Sequence, residues 1–365
     1  DQAMRESHLS YLSDPTTAAP FQMLKFKEAD GHVISGLLVC GTNWYPIVNS
    51  IPRILLGELK VQTLQSRYAF FEKYKERMPE NVRTEWQQAI DSITDLDAFL
   101  KHQKKTAESF AYEWKYIYKE NTYEKHNFFH FLSPFIKEEN LAGKTTLDIG
   151  CGSGRFTKWA ALSGTKVSFG SDLGESVEVA YQMTYTLPNV CIVQADIYAM
   201  PFQSTFDIAY SIGVLHHLPE PQNGFSALPK VLKGGGQMLI WVYNRRHNAR
   251  ALYFYEPLRS VFRHLSKPLL FKLCYIPGGI VHLINLFGNG LTAIGFGTLA
   301  QKLPFAYYAN FPFNMKLNDA FDVLATPKSN YYYVEEITDW FNRAGLNHID
   351  AYEHREAGIT CIGTR

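Results

Sequence analysis

The spacing of apolar residues changes character several times along the chain. From Phe21 to Leu56 apolar residues come in short runs separated by turn formers. Met23, Leu24 and Phe26 precede Ala29-Asp30-Gly31, His32 to Val39 form a β-type run, and Tyr45-Pro46-Ile47 and Ile51-Pro52 follow. This predicts a small β module over residues 21–57, behind a loose lead-in over 1–20. Between Glu58 and Asn140 the period lengthens. Leu59, Leu64, Tyr68 and Phe71 recur near 3.6, as do Trp86, Ile90 and Ile93, so a helical linker or cap is expected over 58–140. The aromatic-dense segment Phe110 to Tyr118 reads as its last helix.

From Lys144 strands and helices alternate. Strands are expected at Thr145–Ile149, Lys166–Ser171, Val190–Gln194, Phe206–Tyr210 and Gln237–Tyr243. Helices are expected at Gly154–Leu162 and Glu175–Tyr185, with further helical segments from Val214. Such alternation implies βαβ units and a parallel sheet. A helix at Val334–Ala344 and strands at His348–Glu353 and Ile359–Gly363 close the domain, whose core is expected over 141–243 and 333–365. The stretch between, 244–332, reads as a helical insertion and lid.

Inside that insertion, Leu273 to Gln301 holds no Asp, Glu, Lys or Arg. A spanning helix needs about 20 predominantly apolar residues in a row. Here Pro277-Gly278-Gly279, His282, Asn285, Asn289 and four further glycines interrupt the run. Buried helices or a pocket wall are expected, with no transmembrane segment; peripheral contact with a membrane is the lesser alternative. The N-terminal stretch lacks a charged region followed by an apolar one, so no signal peptide is expected.

Composition narrows the classes. At 365 residues and 46% apolar, the chain supports one large domain and a smaller one. A net charge of +1 lacks the basic footprint of a nucleic-acid binder. Cys40, Cys151, Cys191, Cys274 and Cys361 are too scattered for a Cys-x-x-Cys pair. Free thiols in the cytoplasm are the expectation.

The chemistry centres on Asp148-Ile149-Gly150-Cys151-Gly152-Ser153-Gly154, between a strand and a helix. Glycines there let backbone approach a ligand, and the helix start offers free N–H groups. A dinucleotide pyrophosphate over the loop would be repelled by Asp148 two residues ahead of it, whereas an amino group would be attracted. Asp172, at the end of the next strand, is placed for ribose hydroxyls. Asp196, at the end of the third, is placed for an adenine amino group. Each fits a turn or N-cap aspartate, but three at consecutive strand ends converge on one crevice.

Leu147 to Arg155 resembles the first motif of class I S-adenosylmethionine-dependent methyltransferases. Phe206 to Leu218 resembles their fourth-strand motif, and Leu232-Lys233-Gly234-Gly235-Gly236 the turn before their fifth strand. The resemblance implies a Rossmann-like α/β fold, with a mostly parallel seven-stranded sheet and helices on both faces. It also implies S-adenosyl-L-methionine as cofactor, S-adenosyl-L-homocysteine as product, and no metal. Gly150, Cys151, Gly152 and Gly154 would pass the methionine portion, with Asp148 near its amino group. Asp172 would bind the ribose, Leu173 would pack on the adenine, Asp196 and Ile197 would hold its edge, and Ser211 would border the sulfonium. Phe110-Ala111-Tyr112-Glu113-Trp114 resembles a segment covering the cofactor, although an amphipathic packing helix explains it equally well.

Methyl transfer mainly needs alignment and exclusion of water, plus a base where the acceptor must lose a proton. His216 and His217 follow the fourth strand and are the candidate bases, or else they only shape the site. Tyr253, Phe254, Tyr255, Phe305, Tyr307, Tyr308, Phe311, Phe313 and Tyr331-Tyr332-Tyr333 either line a lid over an aromatic or hydrophobic acceptor or pack the extra helices. Arg245, Arg246 and Arg250 meet an anionic acceptor or form a solvated face. Gly36 to Cys40, with Tyr45-Pro46-Ile47, resembles a small zinc-ribbon family that has lost its cysteine pairs, since Asn43 stands where a second ligand belongs. Tetrahedral zinc needs four ligands, so a metal-free relic serving docking, homodimer formation or pocket shaping is expected. The leading function is methyl transfer to oxygen or nitrogen of a small molecule in a biosynthetic or tailoring pathway. A tRNA or protein methyltransferase, a nicotinamide dehydrogenase and a non-catalytic cofactor-binding scaffold are the rivals.

Overall fold

The computed structural model describes residues 4–93, 123–246, 262, 265, 267–325, 329–354 and 358–365. The chain first forms an antiparallel meander of β1 (Gln22–Ala29), β2 (His32–Cys40), β3 (Asn43–Val48) and β4 (Ile51–Ile54). Its first turn is two residues, Asp30-Gly31, both at positive φ (52° and 75°). That geometry suits the right-handed twist of the flanking strands. Helices α1 (Gly57–Ser66), α2 (Tyr68–Tyr74) and α3 (Glu80–Asp91) cover one face of the meander. Trp44 is edge-on to Phe71, which stacks on Trp86, and Trp44 Nε1 donates to Glu85 Oε2 (2.6 Å).

After α4 (Tyr123–Leu132) comes the alternating core: β5 (Thr145–Ile149), α5 (Arg155–Leu162), β6 (Val167–Asp172), α6 (Ser176–Thr184), β7 (Val190–Ala195), β8 (Phe206–Ile212), α7 (Pro221–Ala227) and β9 (Leu232–Tyr243). The insertion contributes α8 (Lys267–Ala293), α9 (Gly297–Ala300) and α10 (Phe313–Ala325). Finally α11 (Val334–Arg343), β10 (Asn347–Glu353) and β11 (Gly358–Thr364) close the chain. β5 to β9 are parallel, and β11 lies antiparallel between β9 and β10.

The fold is the expected Rossmann-like one, but the sheet has eleven strands rather than seven. β4 pairs in parallel with β7, aligning Arg53 with Gln194 and Ile54 with Ala195. Strand β7 would otherwise be an open edge with unpaired N–H and C=O groups, and β4 satisfies them. Arg53, 1% exposed, fixes the join by donating to Gln194 Oε1 (2.7 Å) and to Glu178 of α6. The lead-in is not loose. Leu12 bridges to Phe202, Ser13 N–H donates to the Pro201 carbonyl (3.0 Å), and Met4 and Leu12 are buried in the main core. Apolar residues scattered in a polar stretch gave no periodic signal for this packing. The interruption expected at Pro277-Gly278-Gly279 is absent too: α8 runs through it for 27 residues and leaves a broad apolar face outside, not buried.

Candidate active site

The carboxyl ends of β5 to β8 form a crevice where the sheet order reverses, with β6 on one side of β5 and β8 on the other. Gly150 and Cys151 both donate backbone N–H groups to the Ser171 carbonyl (2.8 and 2.9 Å), which leans the glycine loop over β6. Gly154 has φ +77°, and a β-carbon there would sit 2.8 Å from Ala180 of α6. Only glycine lets the loop and helix approach so closely. Cys151 is buried beneath the loop, and burial pushes its thiol far above the ordinary range, so it is an inert packing group.

The three aspartates do occupy one row, in different states. Asp148 is 1% exposed and accepts from Thr157 Oγ1 (2.7 Å). Desolvation raises its pKa to about 7; the Thr157 hydrogen bonds oppose the shift, and the charge of Asp172 adds to it. Among the described residues no Lys or Arg pairs with it. Asp172 Oδ2 accepts the Gly152 N–H (2.9 Å), and its Oδ1 accepts the Gly174 N–H and the Ser176 hydroxyl (both 2.9 Å). It therefore clamps the glycine loop to the start of α6. Asp196 is half-buried and accepts the Tyr198 N–H (3.0 Å). Leu173 is 44% exposed between these two acids, its carbonyl held by Gln194 Nε2 (2.9 Å), while Ile197 packs against the core.

Other expected positions are corrected. The Ser211 side chain does not face the crevice: it is fully buried and donates to the Ile149 carbonyl (2.9 Å), bracing β8 against the end of β5. The two histidines differ. His216 is 0% exposed, its ring centroid 3.9 Å from that of Tyr243, and its carbonyl accepts the Asn330 N–H (2.8 Å). His217 is half-buried, with Nδ1 3.2 Å from Ser329 Oγ. Arg246 is not held for an acceptor, because it pairs with Glu335 (2.9 Å) and Glu353 (3.2 Å). Arg245 lies over Tyr333. Phe110 to Trp114, Tyr253 to Tyr255 and Arg250 lie outside the described residues.

The insertion's aromatics partly pack together. Phe311 contacts Tyr307, Tyr308 and Tyr123, while Tyr331 stacks on Tyr243. Sequence reasoning missed Thr157, Asn330 and Asp319. Asp319 hydrogen-bonds Tyr308, and desolvation lifts its carboxyl above the ordinary range while the charge of Arg155 opposes this. Thr157 sits three residues after Gly154, in the first turn of α5, whereas Asp319 and Asn330 lie in the insertion and no spacing rule links them to the glycine loop. In the N-terminal module, Cys40 Sγ lies 3.7 Å from Thr17 Oγ1, and Asn43 donates to Thr16 Oγ1 (3.0 Å). Among the described residues no three His, Cys, Asp or Glu side chains cluster as a metal site requires.

Residues 147–240 match the family described as "Methyltransferase domain". Together with the fold, this makes the segment a class I S-adenosylmethionine-dependent methyltransferase domain. The chain is 32% identical over 114 residues to the ubiquinone biosynthesis O-methyltransferase of Pseudomonas syringae pv. tomato, covering 30% of this chain and 49% of that one. It is also 32% identical over 115 residues to the tRNA U34 carboxymethyltransferase of Ruthia magnifica, covering 30% of this chain and 36% of the relative. The chain thus spans half or less of the length of these relatives. Among solved structures it is similar to the magnesium protoporphyrin IX methyltransferase of Synechocystis PCC 6803 (14% identity, TM-score 0.41, 70% of this chain and 94% of that one).

The site's residues fit the cofactor of this family. A buried carboxylate that no Lys or Arg among the described residues pairs with would be neutralised by a ligand ammonium, and a β-carbon at Gly152 would meet nothing within 4 Å, so the loop is open there.

Proposed function

We propose that the protein transfers a methyl group from S-adenosyl-L-methionine to an oxygen or nitrogen of a small-molecule acceptor, releasing S-adenosyl-L-homocysteine. The observation that carries this is the row Asp148, Asp172 and Asp196 around a glycine loop within a methyltransferase domain. When bound, the cofactor supplies an electrophilic methyl group on a sulfonium sulfur. Asp148 holds the ammonium, Asp172 the ribose, Leu173 the adenine face, and Asp196 with Ile197 its edge. Deep burial of the crevice floor excludes water and fixes orientation, the main demand of an in-line displacement.

A small aromatic acceptor is supported by Tyr243 beside the histidines, by Tyr331 stacked on Tyr243, and by the O-methyltransferases among the relatives. His217 accepts the acceptor's proton, with Ser329 orienting its ring.

Calorimetry tests the binding step. Wild type is expected to bind both S-adenosylmethionine and S-adenosylhomocysteine, and Asp172→Ala to bind them at least tenfold more weakly. Transfer of a labelled methyl group to a panel of phenols and amines tests the reaction, with His217→Gln lowering kcat more than it raises KM. Transfer only to RNA or protein would move the acceptor to a macromolecule. Tight binding without transfer to any of them would make the protein a cofactor-binding scaffold.

A further inference from the structure

Helix α8 is built with its polarity reversed. At 27 residues it is about 40 Å long. Leu269, Ile276, Ile280, Leu283 and Phe287, with Ile294 just beyond its end, are spaced 7, 4, 3, 4 and 7 positions apart, so they lie on one face. Each is between 47% and 69% exposed. The protein-facing side carries Leu270, Cys274, Gly278, Asn285 and Gly288. Asn285, 3% exposed, donates to the Phe305 carbonyl (2.8 Å). A β-carbon at Gly278 would lie 3.6 Å from Leu317, and one at Gly288 would lie 3.2 Å from Leu303. Beyond Leu270 and Cys274, small residues and Asn285 face the protein while most large aliphatic ones face out, the arrangement of a helix surrounded by lipid. A water-facing helix shows the opposite.

Two further observations identify what covers this face. The first is charge. Between Glu256 and Asp319 the chain has no acidic residue but carries Arg259, Arg263, Lys267, Lys272 and Lys302, of which Lys272 and Lys302 are exposed, besides a buried Lys316, although the whole protein is only +1. Such a segment is drawn to anionic headgroups. Two copies brought together through it would repel each other. The second is geometry. After α8 the chain returns to the core, where Tyr307 Oη donates to Asn127 Oδ1 of α4 (3.4 Å), and α10 has only 13 residues, about 20 Å, too short to cross about 30 Å of hydrocarbon. The helix lies along the protein, and among the described residues its outward aliphatic side chains stay exposed from Leu269 to Ile294.

We propose that the outward face of α8 docks the protein onto an anionic phospholipid bilayer, lying in the plane of one leaflet with its aliphatic stripe among the acyl chains. This holds whether or not the crevice transfers a methyl group, so each can fail without the other.

The test is flotation of the full chain with vesicles of phosphatidylcholine mixed with phosphatidylglycerol. Wild type is expected to float, less so in high salt or without phosphatidylglycerol. The triple variant Ile276→Ser, Leu283→Ser, Phe287→Ser is expected to lose about a hundredfold or more in partitioning. Should that variant misfold, Leu283→Trp provides the readout, its emission shifting to the blue when vesicles are added. Wild type that stays in solution at low salt, or flotation unchanged in a folded triple variant, overturns the proposal. So does a Trp emission that ignores vesicles. A wild-type dimer that the triple variant dissolves, without vesicle binding, overturns it in favour of contact between copies. Binding of a mixed tRNA pool without flotation overturns it in favour of an RNA surface.

Discussion

In the sheet core the apolar bulk points inward and charge gathers at the strand ends; in the insertion, the large aliphatic side chains of α8 point outward and Asn285 points in. Both regions are built from ordinary helices with close glycine contacts, at Gly154 against Ala180 and at Gly288 against Leu303. What differs is the medium each surface is shaped for. The core turns polar groups toward a crevice that receives a charged ligand. The insertion turns away from water, and its chemistry becomes sensible only beside another apolar phase. Side-chain direction thus says more about function here than apolar content alone.

The largest effect expected in the core comes from its join to the N-terminal meander. Arg53→Met leaves Gln194 and Glu178 without their shared partner inside the β4–β7 seam, and is expected to cost about 3 kcal/mol in chemical denaturation. No change would mean that β4 adds nothing to the core's stability.

Next comes Asp148. Its pKa in the folded protein, about 7, lies above the 3.8 of a free aspartate, so its contribution to ligand-free stability is complete below 3.8 and is lost as pH rises through about 7. Ligand binding runs the other way, since an ammonium needs the ionised carboxylate. Affinity for S-adenosylmethionine is expected to rise toward about tenfold per pH unit below 7 and to level above it, and Asp148→Asn to flatten the profile. Calorimetry from pH 5.5 to 8 checks this; a flat wild-type profile removes Asp148 from the cofactor's amino group.

The smallest effect belongs to the insertion. Leu283→Ser is expected to change the unfolding free energy by less than about 0.5 kcal/mol, because the side chain is 66% exposed. A loss of 2 kcal/mol or more, typical of a core leucine, would mean that α8 is packed against something in water and would break the contrast between the regions.

The core was the more legible of the two. Its strands are buried apolar runs between turn signals, so β5, β6, β7 and β8 fall within two residues of their expected ends. The aspartates stood out because strand ends in such sheets converge. Three things escaped. The pairing of β4 with β7 rests on a polar contact between Arg53 and Gln194, which no local pattern announces. The burial of Ser211 and His216 depends on which way each leaves its strand or turn, one residue's rotation from the crevice. In α8, Pro277 and the glycines read as breaks, yet glycine and proline are tolerated where a long apolar helix is packed closely on a neighbour. An apolar run also gives no hint of which of its faces is outermost.

The seam between β4 and β7 has a consequence for how the chain is made. Arg53 and Gln194 are 141 positions apart. A ribosome adding about 5–20 residues per second exposes β4 roughly 7–28 s before its partner strand is synthesised. Throughout that interval the meander, already able to pair β1, β2 and β3, presents a bare edge that any other nascent strand can claim. The Pro52 within β4 removes one donor from that edge and keeps it short. The final sheet is therefore assembled out of sequence order, the β4–β7 seam closing only after β5 and β6 have been made, and the time of greatest risk for the protein falls during its own translation.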